Sequence, residues 1–209
     1  MKTVIKGLYA ITPETADTRQ LLTKVTQALE GGASVVQYRS KSGDVALKHE
    51  QAAELLELCR RYHVPLIIND DVRLAALADA DGVHLGQDDA QLKEARINLG
   101  EDKIIGVSCY QDLARARQLQ AQGADYVAFG SFYPSSTKPQ ARPCPIELLS
   151  EAKRMLRVPI VAIGGITPDN APALIHAGAD AVAVVSALFD AADICLAAAQ
   201  FTSLFQTKH

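Results

Sequence analysis

Short apolar runs rich in β-branched residues alternate along the chain with longer segments whose apolar residues recur at helical spacing. Eight of the short runs predict strands, at residues 7–12, 35–39, 66–70, 82–85, 104–109, 126–130, 160–164 and 181–186. The segments between them predict amphipathic helices, most clearly at residues 21–30, 45–62, 111–122 and 146–156. Strands that are each followed by a helix indicate a parallel sheet covered on both faces.

Small-residue triplets mark the points where a predicted helix gives way to a strand. Gly-Ala-Ser, Asp-Ala-Asp and Gly-Ala-Asp sequences occur at residues 32–34, 79–81, 123–125 and 178–180. The triplets recur every ~45–55 residues, about one quarter of a barrel. The pattern therefore predicts an α/β fold, a (β/α)8 TIM barrel that forms a single compact domain over residues 1–209. An open doubly wound sheet is the alternative, but no GxGxxG motif follows the first strand.

Composition narrows the partners that the protein can have. Hydrophobic residues make up 48% of the 209 residues and charged residues 22%, which is typical of globular proteins. The formal net charge of -3 argues against affinity for nucleic acid or for a membrane surface through bulk charge. We therefore expect small-molecule ligands bound by local clusters of charge, with no nucleic-acid or membrane partner.

The sequence favours a cytoplasmic protein. Its opening, MKTVIKGLYAIT, is interrupted by Lys6 and is predicted to form the first strand rather than a signal peptide. No CxxC pair is present, so we expect free thiols in a reducing compartment at the four cysteines, Cys59, Cys109, Cys144 and Cys195. A homo-oligomer is compatible with the sequence.

Polar residues and glycines are concentrated where the predicted strands end, which in a (β/α)8 barrel is the rim that carries the active site. The candidates are Gln37, Arg39, Lys41, Asn69, Asp70, His84, Asp89, Ser108, Ser135, Thr137, Lys138, Gly165, Val185 and Ser186. Each has an ordinary structural explanation when taken singly: a helix cap, a core histidine or a solvated lysine. Their coincidence on one rim favours a functional site.

Sorted by charge, these residues predict two anion sites. Gly164-Gly165 and Val185-Ser186 precede helices after strands seven and eight, where this fold commonly binds a phosphate monoester. The cations Arg39, Lys41 and Lys138 accompany the carboxylates of Asp70 and Asp89. Carboxylates within a cationic cluster are explained if Mg²⁺ lies between them and phosphate oxygens, so this second site is predicted to bind a diphosphate.

Seven motifs occur in one order along the chain: QYRSK (37–41), INDD (68–71), ADGVHLGQDD (80–89), GVSC (106–109), YPSSTK (133–138), AIGGITPDN (162–170) and AVVSALF (183–189). Together they resemble the thiamine phosphate synthase family over nearly the whole chain. The resemblance implies a Mg²⁺-dependent transferase. It would join 4-amino-5-hydroxymethyl-2-methylpyrimidine diphosphate to 4-methyl-5-(2-hydroxyethyl)thiazole phosphate, with release of diphosphate through a pyrimidine carbocation.

The resemblance also implies a role for each matching residue. The metal ligands would be Asp70 and Asp89. The diphosphate contacts would be Arg39, Lys41, Asn69, Ser108 and Lys138, of which Lys138, Ser108 and Arg39 are the expected catalytic residues. Gln37 would face the aminopyrimidine ring, and His84 is placed among the substrate-binding residues without a defined role. The thiazole phosphate would be held by Gly165, Val185 and Ser186, with Ser135 and Thr137 lining it or bridging the two sites.

The loop after the sixth strand departs from the family pattern. It usually begins Gly-Pro, whereas this chain has Ser131, and Ser135 stands where threonine is usual. Serine keeps the hydroxyl, so we expect a change in loop stiffness rather than lost activity. A thiazole tautomerase-like isomerase and a non-catalytic phosphate-ligand sensor on the same barrel are the alternatives. A phosphosugar isomerase is less favoured, because no general-base glutamate ends a strand.

Overall fold

Eight parallel strands close into a barrel in chain order, with the last strand paired to the first. The computed structural model describes residues 4–86, 90–134 and 143–206. The strands are β1 Gly7–Ile11, β2 Val35–Tyr38, β3 Leu66–Asn69, β4 Gly82–Leu85, β5 Ile104–Tyr110, β6 Tyr126–Gly130, β7 Ile160–Ile163 and β8 Ala181–Val184. The predicted (β/α)8 TIM barrel is thereby confirmed.

Helices follow the strands around the outside of the barrel. They are α1 Thr18–Glu30, α2 Val45–Arg61, α3 Val72–Leu77, α4 Ala90–Leu99, α5 Leu113–Ala121, α6 Glu147–Met155, α7 Ala171–Ala177, α8 Ser186–Phe189 and α9 Ile194–Gln206. Several begin at an aspartate whose carboxylate accepts a hydrogen bond from the backbone N–H three residues later. Asp44 does this for α2 and Asp112 for α5. Such caps satisfy backbone donors that the helix itself leaves unpaired.

The apolar core has two layers. Side chains on the outer face of the strands pack against the helices. Side chains on the inner face form a second cluster that fills the barrel, and it includes Tyr9, Ile67 and Tyr126, all of them fully buried. Because the described interior is packed, the rim is where a ligand site is expected. Within the described ranges, no helix has the length and hydropathy that a membrane span requires.

The four cysteines are free thiols, as the sequence predicted. Burial raises the pKa of the Cys59 thiol to about 12, with a smaller contribution from the nearby charge of Asp81. Burial alone raises the pKa of Cys144 to about 11. Both thiols are therefore protonated near neutral pH, which makes them poor nucleophiles.

The repeated triplets anchor the strands at the end of the barrel opposite the site. Asp81, Asp125 and Asp180 each precede a strand and accept a hydrogen bond from a backbone N–H of the neighbouring strand. The donors are Leu66 at 2.8 Å, Ile105 at 2.8 Å and Ile160 at 2.9 Å. In the first triplet Ser34 Oγ donates instead to the Leu8 carbonyl, at 3.0 Å. The repeated triplets are therefore explained by the alignment of neighbouring strands rather than by a catalytic function.

Replacing Asp125 by alanine is expected to lower the free energy of unfolding by roughly 1–3 kcal/mol, because the Ile105 N–H loses its acceptor. The ion pair with Arg96, at 2.7 Å, is lost as well. Thermal unfolding should show a Tm about 2–4 °C lower for each kcal/mol lost. Asp102→Ala, at an exposed aspartate in the turn before β5, is the control. Equal melting of the two variants would contradict the anchoring role.

Candidate active site

The carboxyl ends of β2 and β3 border a cavity of about 600 Å³. Four residues that the sequence predicted for the diphosphate and metal site lie together in its wall: Arg39, Lys41, Asn69 and Asp70. Lys48, from α2, and Arg73, from α3, add cationic groups that the sequence analysis did not select. The cavity wall also carries the carboxylates of Asp70, Asp71 and Glu94, so four cations face three carboxylates, and this balance favours an anionic ligand.

The loop after β2 is held in place by residues that follow β1. The Arg39 N–H donates to Thr12 Oγ1 at 3.0 Å. The Lys41 N–H donates to both carboxylate oxygens of Glu14, at 3.0 and 2.9 Å, and Ser40 Oγ donates to the same carboxylate. These bonds fix the backbone that carries the two predicted cations. Thr12 and Glu14 were missed, although Thr12 is the last residue of a predicted strand and Glu14 follows it by two residues.

Asp70 and Asp71 perform different tasks although they are adjacent. Asp71 accepts a hydrogen bond from the Leu74 N–H at 2.9 Å and so caps α3. Asp70 has the left-handed backbone conformation, with a φ of 61°, and its N–H donates to the His84 carbonyl at 2.8 Å. Asn69 Nδ2 donates to Asp70 Oδ2 at 2.8 Å. The Asp70 carboxylate is thus oriented by a neighbour and is not used as a cap.

Gln37, His84 and Ser108 belong to a hydrogen-bonded chain inside the barrel, just below the rim. His84 Nε2 lies 2.9 Å from Ser108 Oγ, and Gln37 Nε2 donates to the Tyr9 hydroxyl at 2.8 Å. Two tyrosines that the sequence analysis missed, Tyr9 and Tyr126, connect these predicted residues. The available signal was a tyrosine hydroxyl within each of two strands whose other residues are apolar or glycine. His84 is therefore a buried histidine whose two ring nitrogens connect the interior tyrosines to Ser108.

The turn after β7 approaches the segment after β6 very closely. Gly164 and Gly165 have φ angles of 109° and 59°. A Cβ at Gly165 would lie 2.3 Å from the Pro134 carbonyl oxygen, which is closer than real contacts allow. Asn170, another residue that was missed, donates to the Gly165 carbonyl at 3.0 Å and fixes the turn. Glycine is therefore required here by backbone conformation and by space.

Val185 and Ser186 lie beside this turn, because β7 and β8 are paired through Ile163 and Ala183. The sequence predicted a strand as far as residue 186, but β8 ends at Val184 and Ser186 begins the short helix α8. The predicted phosphate residues Gly165, Val185 and Ser186 are thus on adjacent segments of one rim. Asp89, Ser135, Thr137 and Lys138 lie outside the described residues, so their positions stay predictions.

A Mg²⁺ site was predicted from two carboxylates, of which the structure describes Asp70. Among the described residues, no three potential metal ligands form a cluster. Asp70 is exposed beside Arg39 and Lys41, and Gly86 at the end of β4 lies against it, since a Cβ there would be 3.6 Å from Asp70 Oδ1. Mg²⁺ typically uses one or two carboxylates together with phosphate oxygens, so this donor set fits the ion.

A closed barrel that carries a cationic cavity and a glycine turn on its carboxyl rim defines the class of phosphate-handling (β/α)8 enzymes. A family model described as Thiamine monophosphate synthase matches residues 8–188. The chain belongs to this family and is a transferase. The resemblance predicted from the seven motifs is confirmed.

Similar proteins match this chain over almost its full length. It is 61% identical to a thiamine-phosphate synthase of Thiobacillus denitrificans, covering 100% of this chain and 99% of the relative. It is 59% identical to the thiamine-phosphate synthase of Methylobacillus flagellatus, covering 96% of each. Among solved structures, thiamine phosphate pyrophosphorylase from Pyrococcus furiosus superposes with a TM-score of 0.85 at 34% identity, covering 96% of this chain and 95% of that one. These relatives do not favour the tautomerase-like or sensor alternatives.

Proposed function

We propose that the protein condenses 4-amino-5-hydroxymethyl-2-methylpyrimidine diphosphate with 4-methyl-5-(2-hydroxyethyl)thiazole phosphate, giving thiamine phosphate and diphosphate. The observation that carries the proposal is the cavity where Arg39, Lys41 and Asp70 meet, in a chain 61% identical over its full length to a thiamine-phosphate synthase. Such a cavity suits a leaving group that is strongly anionic.

The chemistry requires little proton transfer. The bond between the pyrimidine CH₂ and the diphosphate oxygen breaks, and the electron pair leaves with the diphosphate. The resulting cation is stabilised by the aminopyrimidine ring, and the thiazole nitrogen donates its lone pair to form the new C–N bond. The protein must therefore stabilise the departing anion and hold the two rings in line. It needs no nucleophilic side chain of its own.

The described residues divide these tasks between the two parts of the rim. Arg39 and Lys41 would neutralise the departing diphosphate, and Ser108 would donate a hydrogen bond to it. Gln37, buried on β2, would face the aminopyrimidine ring. Gly165, Val185 and Ser186 would bind the thiazole phosphate. Ser135, Thr137 and Lys138 keep the roles implied by their motif.

Asp70 would hold Mg²⁺, with Asp89 as its partner. The ion would supply positive charge that offsets the charge developing on the diphosphate oxygens. Asn69 would keep the Asp70 carboxylate turned towards the cavity, through the hydrogen bond to Oδ2. This hydrogen bond should affect Mg²⁺ binding, because mutation of a residue that orients a metal ligand commonly weakens metal affinity about 10- to 100-fold.

The decisive experiment mixes the purified protein with both substrates and Mg²⁺ and measures diphosphate release together with thiamine phosphate. We expect stoichiometric formation of the two products, and loss of both when EDTA replaces the metal. Omitting the thiazole phosphate tests whether bond cleavage waits for the acceptor. Absence of product with both substrates and metal present would refute the proposed function.

Gly165→Ala tests the assignment of the thiazole phosphate site. The added Cβ would meet the Pro134 carbonyl, and such overpacking typically costs about 1–3 kcal/mol. We expect the KM for the thiazole phosphate to rise roughly 10-fold or more, because the turn must move. Gly100→Ala is the control, since Gly100 also has a positive φ, 80°, but no described atom within 4 Å of its Cβ position. An unchanged KM in Gly165→Ala would remove this turn from the site.

The proposal has three remaining parts. We propose that the substrates are small molecules without nucleic-acid or membrane partners, that the location is cytoplasmic, and that one domain extends over all 209 residues. They rest on the net charge of -3 and on the uninterrupted strand–helix pattern. The sequence is also compatible with a homo-oligomer. Size-exclusion chromatography with light scattering would determine the oligomeric state directly.

A further inference from the structure

Five polar side chains from five different strands form one hydrogen-bonded chain inside the barrel. Gln37 Nε2 donates to Tyr9 Oη at 2.8 Å, and Tyr9 Oη lies 2.7 Å from Tyr126 Oη. Tyr126 Oη is 2.9 Å from His84 Nδ1, and His84 Nε2 is 2.9 Å from Ser108 Oγ. The chain therefore links Gln37, proposed above to face the pyrimidine ring, to Ser108, proposed above to contact the leaving group.

The number of protons on each side chain determines which group donates and which accepts along this hydrogen-bonded chain. A phenol has one proton to donate. Tyr9 already accepts from Gln37, and its other polar partner among the described residues is Tyr126, so Tyr9 donates to Tyr126. Tyr126 then donates to His84 Nδ1. A neutral imidazole that accepts at Nδ1 carries its proton on Nε2, and that proton points at Ser108 Oγ.

The burial of the two phenols supports this count. Desolvation raises the pKa of Tyr9 and that of Tyr126 above the ordinary value for tyrosine, so both hydroxyls keep their protons across the working pH range. The rings are fixed as well as buried. The His84 and Tyr126 rings stack with centroids 5.6 Å apart, and a Cβ at Gly106 would lie 1.9 Å from the Tyr126 ring. Glycine at position 106 therefore leaves the space that Tyr126 occupies.

We propose that Tyr9, Tyr126 and His84 are positioning residues that direct the hydroxyl proton of Ser108 towards the substrate. Because Ser108 Oγ accepts from His84, its own proton is available to a ligand oxygen. The identity of that oxygen, on the departing diphosphate, rests on the proposed function. Hydrogen bonds that all run in one direction polarise one another, so the Ser108 hydroxyl becomes a stronger donor than an isolated serine.

The tautomer of His84 can be measured without any activity assay. Long-range ¹H–¹⁵N correlation spectra of the free, ¹⁵N-labelled protein distinguish the two ring nitrogens, with His84→Asn used to assign the signals. We expect a neutral ring with the proton on Nε2 near pH 7.5. A ring protonated on Nδ1, or on both nitrogens, would mean that the chain does not run towards Ser108 and would overturn the inference.

Steady-state kinetics test whether Tyr126 acts through Ser108. Ser108→Ala and Tyr126→Phe are each expected to lower kcat roughly 10- to 100-fold, the cost of a hydrogen bond to a charged group. The KM for the thiazole phosphate should stay within about 2-fold in both. The double variant should be no slower than Ser108→Ala alone, because the two changes remove one effect. Losses that multiply would show that Tyr126 acts independently of Ser108 and would overturn the proposal.

Tyr38→Phe is the matched control. The Tyr38 hydroxyl is also buried and donates to Gln51 at 2.8 Å, but on the helix side of the barrel wall. We expect this variant to keep wild-type kcat even where its Tm falls. If Tyr126→Phe does not fold, the tautomer of His84 in the wild-type protein decides the question alone. If the wild-type protein releases no diphosphate but His84 has the Nε2–H tautomer, the proposed function is refuted. The direction of the hydrogen-bonded chain is then still supported.

Discussion

Replacing Arg39 by alanine is expected to lower kcat for diphosphate release roughly 100- to 1000-fold, the usual cost of removing one preorganised donor. The Arg39 guanidinium lines the cavity, and its backbone N–H is fixed by Thr12. Its interaction with the leaving group strengthens as negative charge develops, so turnover should suffer more than binding. Steady-state assays that vary each substrate separately would divide the loss between kcat and KM.

Arg73→Ala provides the comparison, because Arg73 lines the same cavity but is exposed on α3. An exposed cation is strongly screened, so its loss should change kcat by no more than about 3-fold. Arg39→Lys should recover part of the lost activity, since it keeps the charge but not the planar fork of donors. Equal losses in Arg39→Ala and Arg73→Ala would show that the cavity acts only through its total charge.

Asp70→Asn is expected to raise the Mg²⁺ concentration needed for half-maximal activity by at least roughly 10-fold, and up to about 100-fold. An amide oxygen can still coordinate a cation, but it lacks the charge that makes a carboxylate a strong ligand. The measurement is a Mg²⁺ titration of initial rate at saturating substrates. Activity should be partly restored at high metal concentration, because the substitution weakens binding of the ion without removing substrate contacts.

Asp71→Asn separates this effect from a general loss of negative charge. Asp71 is the adjacent residue and lines the same cavity, but its carboxylate caps α3 and pairs with Lys48 at 3.7 Å. Asparagine caps helices about as well as aspartate, so the variant should fold and titrate with Mg²⁺ like the wild type. A parallel shift in both variants, or an unchanged titration in Asp70→Asn, would reject Asp70 as a metal ligand.

Much of the fold could be predicted because period-2 and period-3.6 patterns depend on local burial, and a barrel repeats one local unit eight times. The helix predicted at residues 45–62, for example, corresponds to α2, which the structure places at Val45–Arg61. The end of β8 was placed too late. Val185 extends the apolar run of β8, and Ser186 follows it directly, but Val185 leaves the strand conformation and Ser186 begins α8.

The grouping of candidate site residues was predictable where polar residues end strands, since the closed barrel brings strand ends together. Arg39, Lys41, Asn69 and Asp70 were identified in this way. Tyr9 and Tyr126 were not, because tyrosine in a strand is usually a packing residue. Their hydrogen bond joins positions 117 residues apart, and no local pattern encodes it. Glu14 was missed for a similar reason: its carboxylate accepts hydrogen bonds from the loop after β2, which is 27 residues away in the sequence.

During synthesis, β1 emerges long before its second neighbour, because that neighbour is β8. The same delay affects α1: Gly31 at its end packs so closely on α9 that a Cβ there would lie 2.3 Å from the Cys195 carbonyl. Until β8 and α9 leave the ribosome, a nascent chain exposes one open sheet edge and one uncovered helix face. The growing polypeptide should therefore be prone to edge-to-edge association until α9 has been synthesised.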